Sequence, residues 1–192
     1  IPYLIKGVND WQVAFEKAGF KNAIIGKEWP NDPTMSLEDA RFSVIRYLAS
    51  NIENAYGPNV HDPRSGEILE ADIIWWHNVQ SLLKEWVVVQ TAAVNPAART
   101  YHLPDSLMGD AARFVACHEV GHSLGLRHNM RASAAYPVDS LRSANFTSRI
   151  GGTSSSIMDY ARFNYIAQPT DNVKVLSPHI GPYDIMAIEW GY

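Results

Sequence analysis

The chain has 192 residues, 46% of them hydrophobic, with one cysteine and no biased tract, which suits a single globular domain over residues 1–192 and excludes an intrachain disulfide. Sixteen basic and twenty acidic residues, scattered without runs, leave a net charge of -4 and argue against nucleic acid or an anionic membrane as the main partner. The longest apolar stretches, such as Trp86–Val94, reach about half of the roughly 20 residues that a bilayer span needs.

In chain order, "IPYLIKG" carries no initiator methionine, basic leader or cleavage pattern, and reads as part of a processed or longer protein. Val8–Phe20 places Trp11, Val13, Ala14, Ala18 and Phe20 near a helical period, with Asn9 as cap and Gly19 near the end, and predicts an early helix. Pro30 and Pro33 break the pattern, after which Arg41–Ser50 alternates like a strand through Phe42, Val44 and Ile45. Tyr56–Trp76 holds two extended segments around a turn at Asp62–Gly66. His77–Val94 is long enough for a helix, although the Val87–Val89 triplet keeps a strand open. Asp105–Gly125 is the clearest helix, with Asp105 or Asp110 as caps and Gly125 as its stop, and Gly181–Tyr192 is a closing helix that begins at Pro182. The class is α+β.

The chemistry concentrates in "CHEVGHSLGLRHN", Cys117 to Asn129. His118 and His122 are four residues apart, so on a helix they share one face and can hold one ion. Glu119 sits about 100° around from His118, able to approach a metal-bound water without being a ligand. On a continued helix His128 would point roughly 240° away from His122, but Gly125 can take the left-handed conformation that ends a helix and turns the chain, bringing His128 back. Three neutral imidazoles and a water make the open site of a catalytic Zn2+, which lowers the pKa of that water to about 7. Glu119 can then take a proton and pass it to a leaving amine. The five fixed positions of HExxHxxGxxH match by chance in a chain of this length on the order of once in a hundred thousand cases. Cys117 reads as a small buried residue on the far side of the helix.

"HEVGHSLGLRH" is followed thirty residues later by "SIMDY", and together they resemble the signature of metzincin zinc endopeptidases. The resemblance implies a twisted, mostly parallel sheet with an antiparallel edge strand, an active-site helix, a tight turn whose methionine lies beneath the zinc, and a C-terminal helix. It also implies His118, His122 and His128 as zinc ligands, Glu119 as general base, Met158 as the Met-turn methionine, and Tyr160 as a fifth ligand or oxyanion stabiliser. The chain is similar to bacterial, extracytoplasmic zinc-dependent metzincins, though Asn129 stands where better-known groups carry Ser, Pro, Glu or Asp.

A peptide substrate is expected to bind as an added strand, with Gly66–Trp75 as the edge and Ala161–Pro169, including Phe163 and Tyr165, as either pocket wall or core. A monomer is favoured. The carboxylates of "TDNV" and "HDPRSGE" lack calcium-loop spacing and read as turns. His61, His77, His102 and His179 share no ligand-like spacing and carry no assigned role. The alternative to a zinc endopeptidase is a zinc-stabilised protein-binding domain that no longer cuts.

Overall fold

Proline at the first helical position opens α1 (Pro2–Asn9), since its missing N–H would have had no partner there. The computed structural model describes all residues, 1–192. The single helix expected over Val8–Phe20 is two: α1 gives way at Asp10 and Trp11, and α2 (Gln12–Lys17) follows. The break has a tertiary cause. The Asp10 carboxylate accepts from Arg113 Nε at 2.7 Å. The fully buried Trp11 indole donates to the Cys117 carbonyl at 2.9 Å. Asn9 is no cap, because its side chain accepts from the Gly26 N–H at 2.8 Å.

Three strands form the main sheet: β1 (Ile45–Leu48), β2 (Ala55–Tyr56) and β5 (Ile73–Trp76), in the order β1-β5-β2. β1 runs parallel to β5 with Ile45 opposite Ile73, and β2 runs antiparallel with Ala55 opposite Trp75. Ile73 and Trp75 point into the core while Ile74 and Trp76 are half-buried, the two-residue period of a strand packed hard on one face. β3 (Val60–His61) and β4 (Ile68–Glu70) form a separate hairpin whose turn is closed by the Gly66 N–H on the Asp62 carbonyl at 2.8 Å. The expected edge at Gly66–Trp75 is therefore corrected. Part of it is a hairpin strand, and β5 is the middle strand of the sheet, hydrogen-bonded on both sides. The antiparallel edge is β2.

α3 (Val79–Thr91) settles the valine triplet: Val79, Leu83, Val87 and Thr91 recur every four residues and are buried, whereas Val89 is 83% exposed. α4 (Asp105–Ser123) runs through the centre of the molecule, buried on several faces from Gly109 onward. Neither Asp105 nor Asp110 caps it: Pro104 occupies the cap position and Asp105 lies in the first turn, where its charge complements the helix dipole. α5 (Ala144–Ile150) is capped by the Ser143 hydroxyl accepting from the Phe146 N–H at 3.2 Å, and α6 (Pro182–Gly191) closes the chain. A mixed sheet with an antiparallel edge strand, a central helix and a closing helix make an α+β fold.

The core joins Trp11 of the N-terminal turn, Ile73 and Trp75 of β5, Leu83 and Val87 of α3, Phe114 of α4 and Ile188 of α6. Ile157 and Met158, from the irregular segment before α6, lie within it. That places the methionine turn against the inner face of α4.

Candidate metal centre

α4 ends in a Schellman motif: the Gly125 N–H reaches the His122 carbonyl at 2.9 Å and the Leu126 N–H reaches the Gly121 carbonyl at 3.0 Å. Gly125 has φ 90°, which a residue with a Cβ rarely adopts. The chain doubles back there and carries His128 towards the two histidines of the helix, as the spacing led us to expect. One donor nitrogen from each of His118, His122 and His128 lies within 4.8 Å of the others.

The second ring nitrogens fix the orientation. His118 Nδ1 donates to the Ile157 carbonyl and His122 Nδ1 to the Leu126 carbonyl, each at 2.8 Å. Because a carbonyl only accepts, Nδ1 carries a proton in both rings, which leaves Nε2 as the nitrogen that can offer a lone pair to a metal. His122 Nε2 faces His128 Nε2 at 3.0 Å. Burial, reinforced by the charges of the other two histidines and opposed by the Ile157 carbonyl, lowers His118 to about 4, so it stays neutral in the form that ligates a metal. His128 is lowered as well, first by burial and then by His122. Three convergent imidazoles, two of them oriented through Nδ1, fit a zinc ion.

Glu119 lies beside this cluster, 8% exposed. Burial raises its carboxyl to about 7 against the opposing pull of the Gly57 backbone N–H. Gly57 immediately follows β2, and a Cβ there would come within 2.2 Å of the Glu119 carbonyl oxygen. The edge strand thus meets the helix backbone to backbone. The Tyr160 ring lies 4.5 Å from that of His128 and 5.6 Å from that of His118, centroid to centroid, and is 51% exposed. Burial of its hydroxyl and the nearby Glu119 raise its pKa, so it keeps its proton through neutral pH.

Met158 is fully buried against α4 at Gly121. Its sulfur leaves no room for a side chain on Gly121: a Cβ there would sit 2.3 Å from Sδ and 2.8 Å from the Trp11 ring. The turn is held from three sides. Its Ile157 carbonyl accepts from His118; its Met158 carbonyl accepts from the Asn129 N–H at 3.0 Å; and Asp159 accepts from the Ser133 N–H at 2.6 Å. Asp184 of α6, wholly buried, accepts from the Ser156 hydroxyl at 2.5 Å, the Ile157 N–H at 2.7 Å and the Gly181 N–H at 2.8 Å. Asn129, which the motif left without a role, joins the histidine loop to the methionine turn through its backbone.

The remaining sequence expectations fall into place around this centre. Cys117 is a buried free thiol that burial pushes well up, and it takes no part. Phe163 is core, edge-on to Phe114, while Tyr165 is 64% exposed. Asp62 and Asp171 are engaged by Arg64 and Arg142, in keeping with turns. His61 pairs with Asn59, His77 with Tyr47, and His102 packs on Tyr101, all apart from the cluster. Gly57, Gly121, Asp159 and Asp184 escaped sequence reasoning, since nothing in their neighbours announces the contact each makes.

Neither curated proteins nor solved structures give a match to the chain. A family model does: that of the Met-zincins, over residues 100–192, a span that holds all of α4, the three histidines, the methionine turn and α6. Over residues 100–192, then, the chain is similar to the Met-zincins, and its three histidines there form a site suited to zinc.

Proposed function

We propose that the protein is a zinc-dependent endopeptidase. The observation that carries this reading is Glu119, a carboxylate that burial raises to about 7 and that lies next in sequence to a zinc ligand. A site that needed zinc only for stability would gain nothing from an expensive buried carboxyl there. Zinc, when bound, supplies Lewis-acid polarisation and makes water more acidic. Glu119 takes a proton from the water that attacks the peptide carbonyl, then delivers it to the amine nitrogen as the C–N bond breaks. A carboxyl poised near neutrality suits both transfers. The Tyr160 hydroxyl, protonated at neutral pH, donates to the carbonyl oxygen as it gains charge. The substrate lies extended along β2, the outer strand next to Glu119, where unpaired backbone groups can accept a further strand. No helix is long and apolar enough to cross a membrane, and the resemblance to secreted metzincins supports action outside the cytoplasm.

The test compares zinc-loaded wild type with Glu119→Ala on a denatured protein substrate. Chelator-sensitive cleavage is expected in the wild type and lost in the variant, with zinc content equal. Equal residual turnover in both proteins would leave a zinc-stabilised binding domain as the better reading.

A further inference from the structure

The main sheet has a second edge, at β1, on the far side from β2. The Val44 and Leu48 carbonyls accept from the Ile73 and His77 N–H groups, each at 2.8 Å. Backbone groups alternate sides along a strand, so those of Ile45 and Tyr47 point away from β5, where no strand pairs with them. Side-chain burial falls off across the same step. Trp75 of β5 is 3% exposed, whereas Tyr47, its register partner on β1, is 55% exposed. Ile45 is only half-buried beside the buried Ile73. One strand spacing thus separates full core from solvent on a single face of the sheet.

Beside this edge lies a cavity of about 860 Å³, walled by Ile45 and Tyr47, by α1, by Ala112 and Val120 of α4, and by the irregular segment 24–29. Its volume is within the roughly 300–1,000 Å³ of a binding pocket, and its walls are mostly apolar. Ile25, Trp29 and Leu37 on its border are exposed. Single exposed apolar residues need no explanation, but a set of them around one cavity and one unpaired strand edge marks a place for another chain. The charged side chains on the border are Lys27 and Glu28, sequence neighbours of opposite sign. An uncharged occupant matches them better than a fatty-acid anion does. Val120 is about 200° around the helix from both His118 and His122, so the cavity lies behind α4, away from the metal centre.

We infer that the β1 edge and this cavity form a docking site for an extended segment of a partner polypeptide, one with uncharged apolar residues at alternate positions. The segment adds to β1 as a further strand and pairs its backbone with the outward groups of Ile45 and Tyr47. Every second side chain then enters the cavity behind α4, while the others face away from it. The occupant completes the core where it stops one strand short. Because the site stands apart from the histidines, it holds whether or not the protein cuts peptides.

The experiment uses zinc-loaded Glu119→Ala protein, which leaves bound peptides intact. A displayed library of random peptides, each roughly ten residues long, is first depleted on the same protein carrying Tyr47→Pro and then selected on the parent. Proline at 47 removes an outward N–H and leaves the ladder to β5 in place, so depletion discards peptides that bind elsewhere. The selected peptides, made with a fluorescein label, should carry apolar residues at alternate positions. N-methylating the amides of one alternate set should weaken binding about tenfold or more, the scale of one or two lost backbone hydrogen bonds, and methylating the other set less than about threefold. Ala112→Phe, which fills the cavity from α4, should weaken binding about tenfold, with circular dichroism and zinc content matching the parent. No surviving peptide, no alternation, equal loss from the two methylated sets, or undiminished binding to Ala112→Phe would each overturn the inference. A protein that sediments as a dimer split by Tyr47→Pro would make a second copy the occupant, and palmitate binding tighter than any selected peptide would make it a lipid. Either result overturns the inference as well.

Discussion

Tyr160 combines three properties that fit a donor better than a ligand: half exposure, a ring edge against His128, and a hydroxyl whose pKa is raised by burial and by Glu119. A phenol pushed towards its neutral form resists the deprotonation that metal ligation favours, yet remains ready to donate to a developing oxyanion. Tyr160→Phe is accordingly expected to lower kcat about 100-fold, the scale for removing one oxyanion donor. KM and the zinc dissociation constant should change less than twofold. A large loss of zinc affinity would make Tyr160 a ligand, and an unchanged kcat would remove it from the reaction. The grouping of the three histidines could be read from sequence because their relation is local: two lie on one helix face and a glycine turns the chain for the third, whereas Tyr160 entered only through the resemblance. Gly57 and Gly121 could not be read that way. Each is a glycine because of an atom far along the chain, the Glu119 carbonyl for one and the Met158 sulfur for the other.

The elements show the same division between local signals and remote causes. α4 and α6 stand where periodicity, the Pro182 start and the Gly125 stop put them, and the four-residue stripe of α3 outweighs the β-branching of Val87–Val89. The early helix is cut at Asp10 and Trp11 by partners on α4, more than a hundred residues away. β2 is only two residues long, too short to show any period, although it forms the sheet edge nearest Glu119. The joint between α6 and the methionine turn depends on Asp184, which accepts from two N–H groups and one hydroxyl at zero exposure. Asp184→Ala would strand all three donors in the interior, at a cost of about 1–3 kcal/mol each before relaxation. Burial raises the Asp184 carboxyl in spite of these hydrogen bonds, so a neutral acceptor of the same shape should serve nearly as well. Chemical denaturation should show Asp184→Ala destabilised by about 3 kcal/mol or more and Asp184→Asn by less than half as much. Equal losses would mean that the charge itself, and not its acceptor geometry, anchors the turn. Because the Ile157 carbonyl orients His118, the alanine variant should also bind zinc more weakly than the asparagine one.

At the scale of the whole molecule, the metal-free site sets two burial effects against each other. Glu119 is raised from 4.5 to about 7, so its contribution to stability is complete below pH 4.5 and is lost as the pH rises through 7. His118 is lowered from 6.5 to about 4, so its contribution is complete above pH 6.5 and is lost as the pH falls towards 4. The windows overlap and the slopes are opposite. Each amounts to about 3 kcal/mol at 1.36 kcal/mol per pKa unit, so the two largely cancel between pH 4.5 and 6.5. Metal-free wild type should therefore show a shallow stability profile across that range, and the cancellation can be lifted from one side. Glu119→Gln keeps the shape and an acceptor for the Gly57 N–H but cannot ionise. Measured by urea denaturation without metal, its stability relative to wild type should increase by about 3 kcal/mol between pH 4.5 and 7 and stay level on either side. The variant's own profile should fall steeply below pH 6.5, because the histidine effect is then unopposed and His128, also lowered, adds to it. A difference that does not vary with pH would place the Glu119 carboxylate in water and remove the acidity that suits it to proton transfer. Zinc changes the balance in a calculable direction: by occupying the Nε2 lone pairs it opposes histidine protonation, so saturating metal should shift the variant's acid limb to lower pH, and because its charge favours the Glu119 carboxylate it should also narrow the difference between wild type and variant.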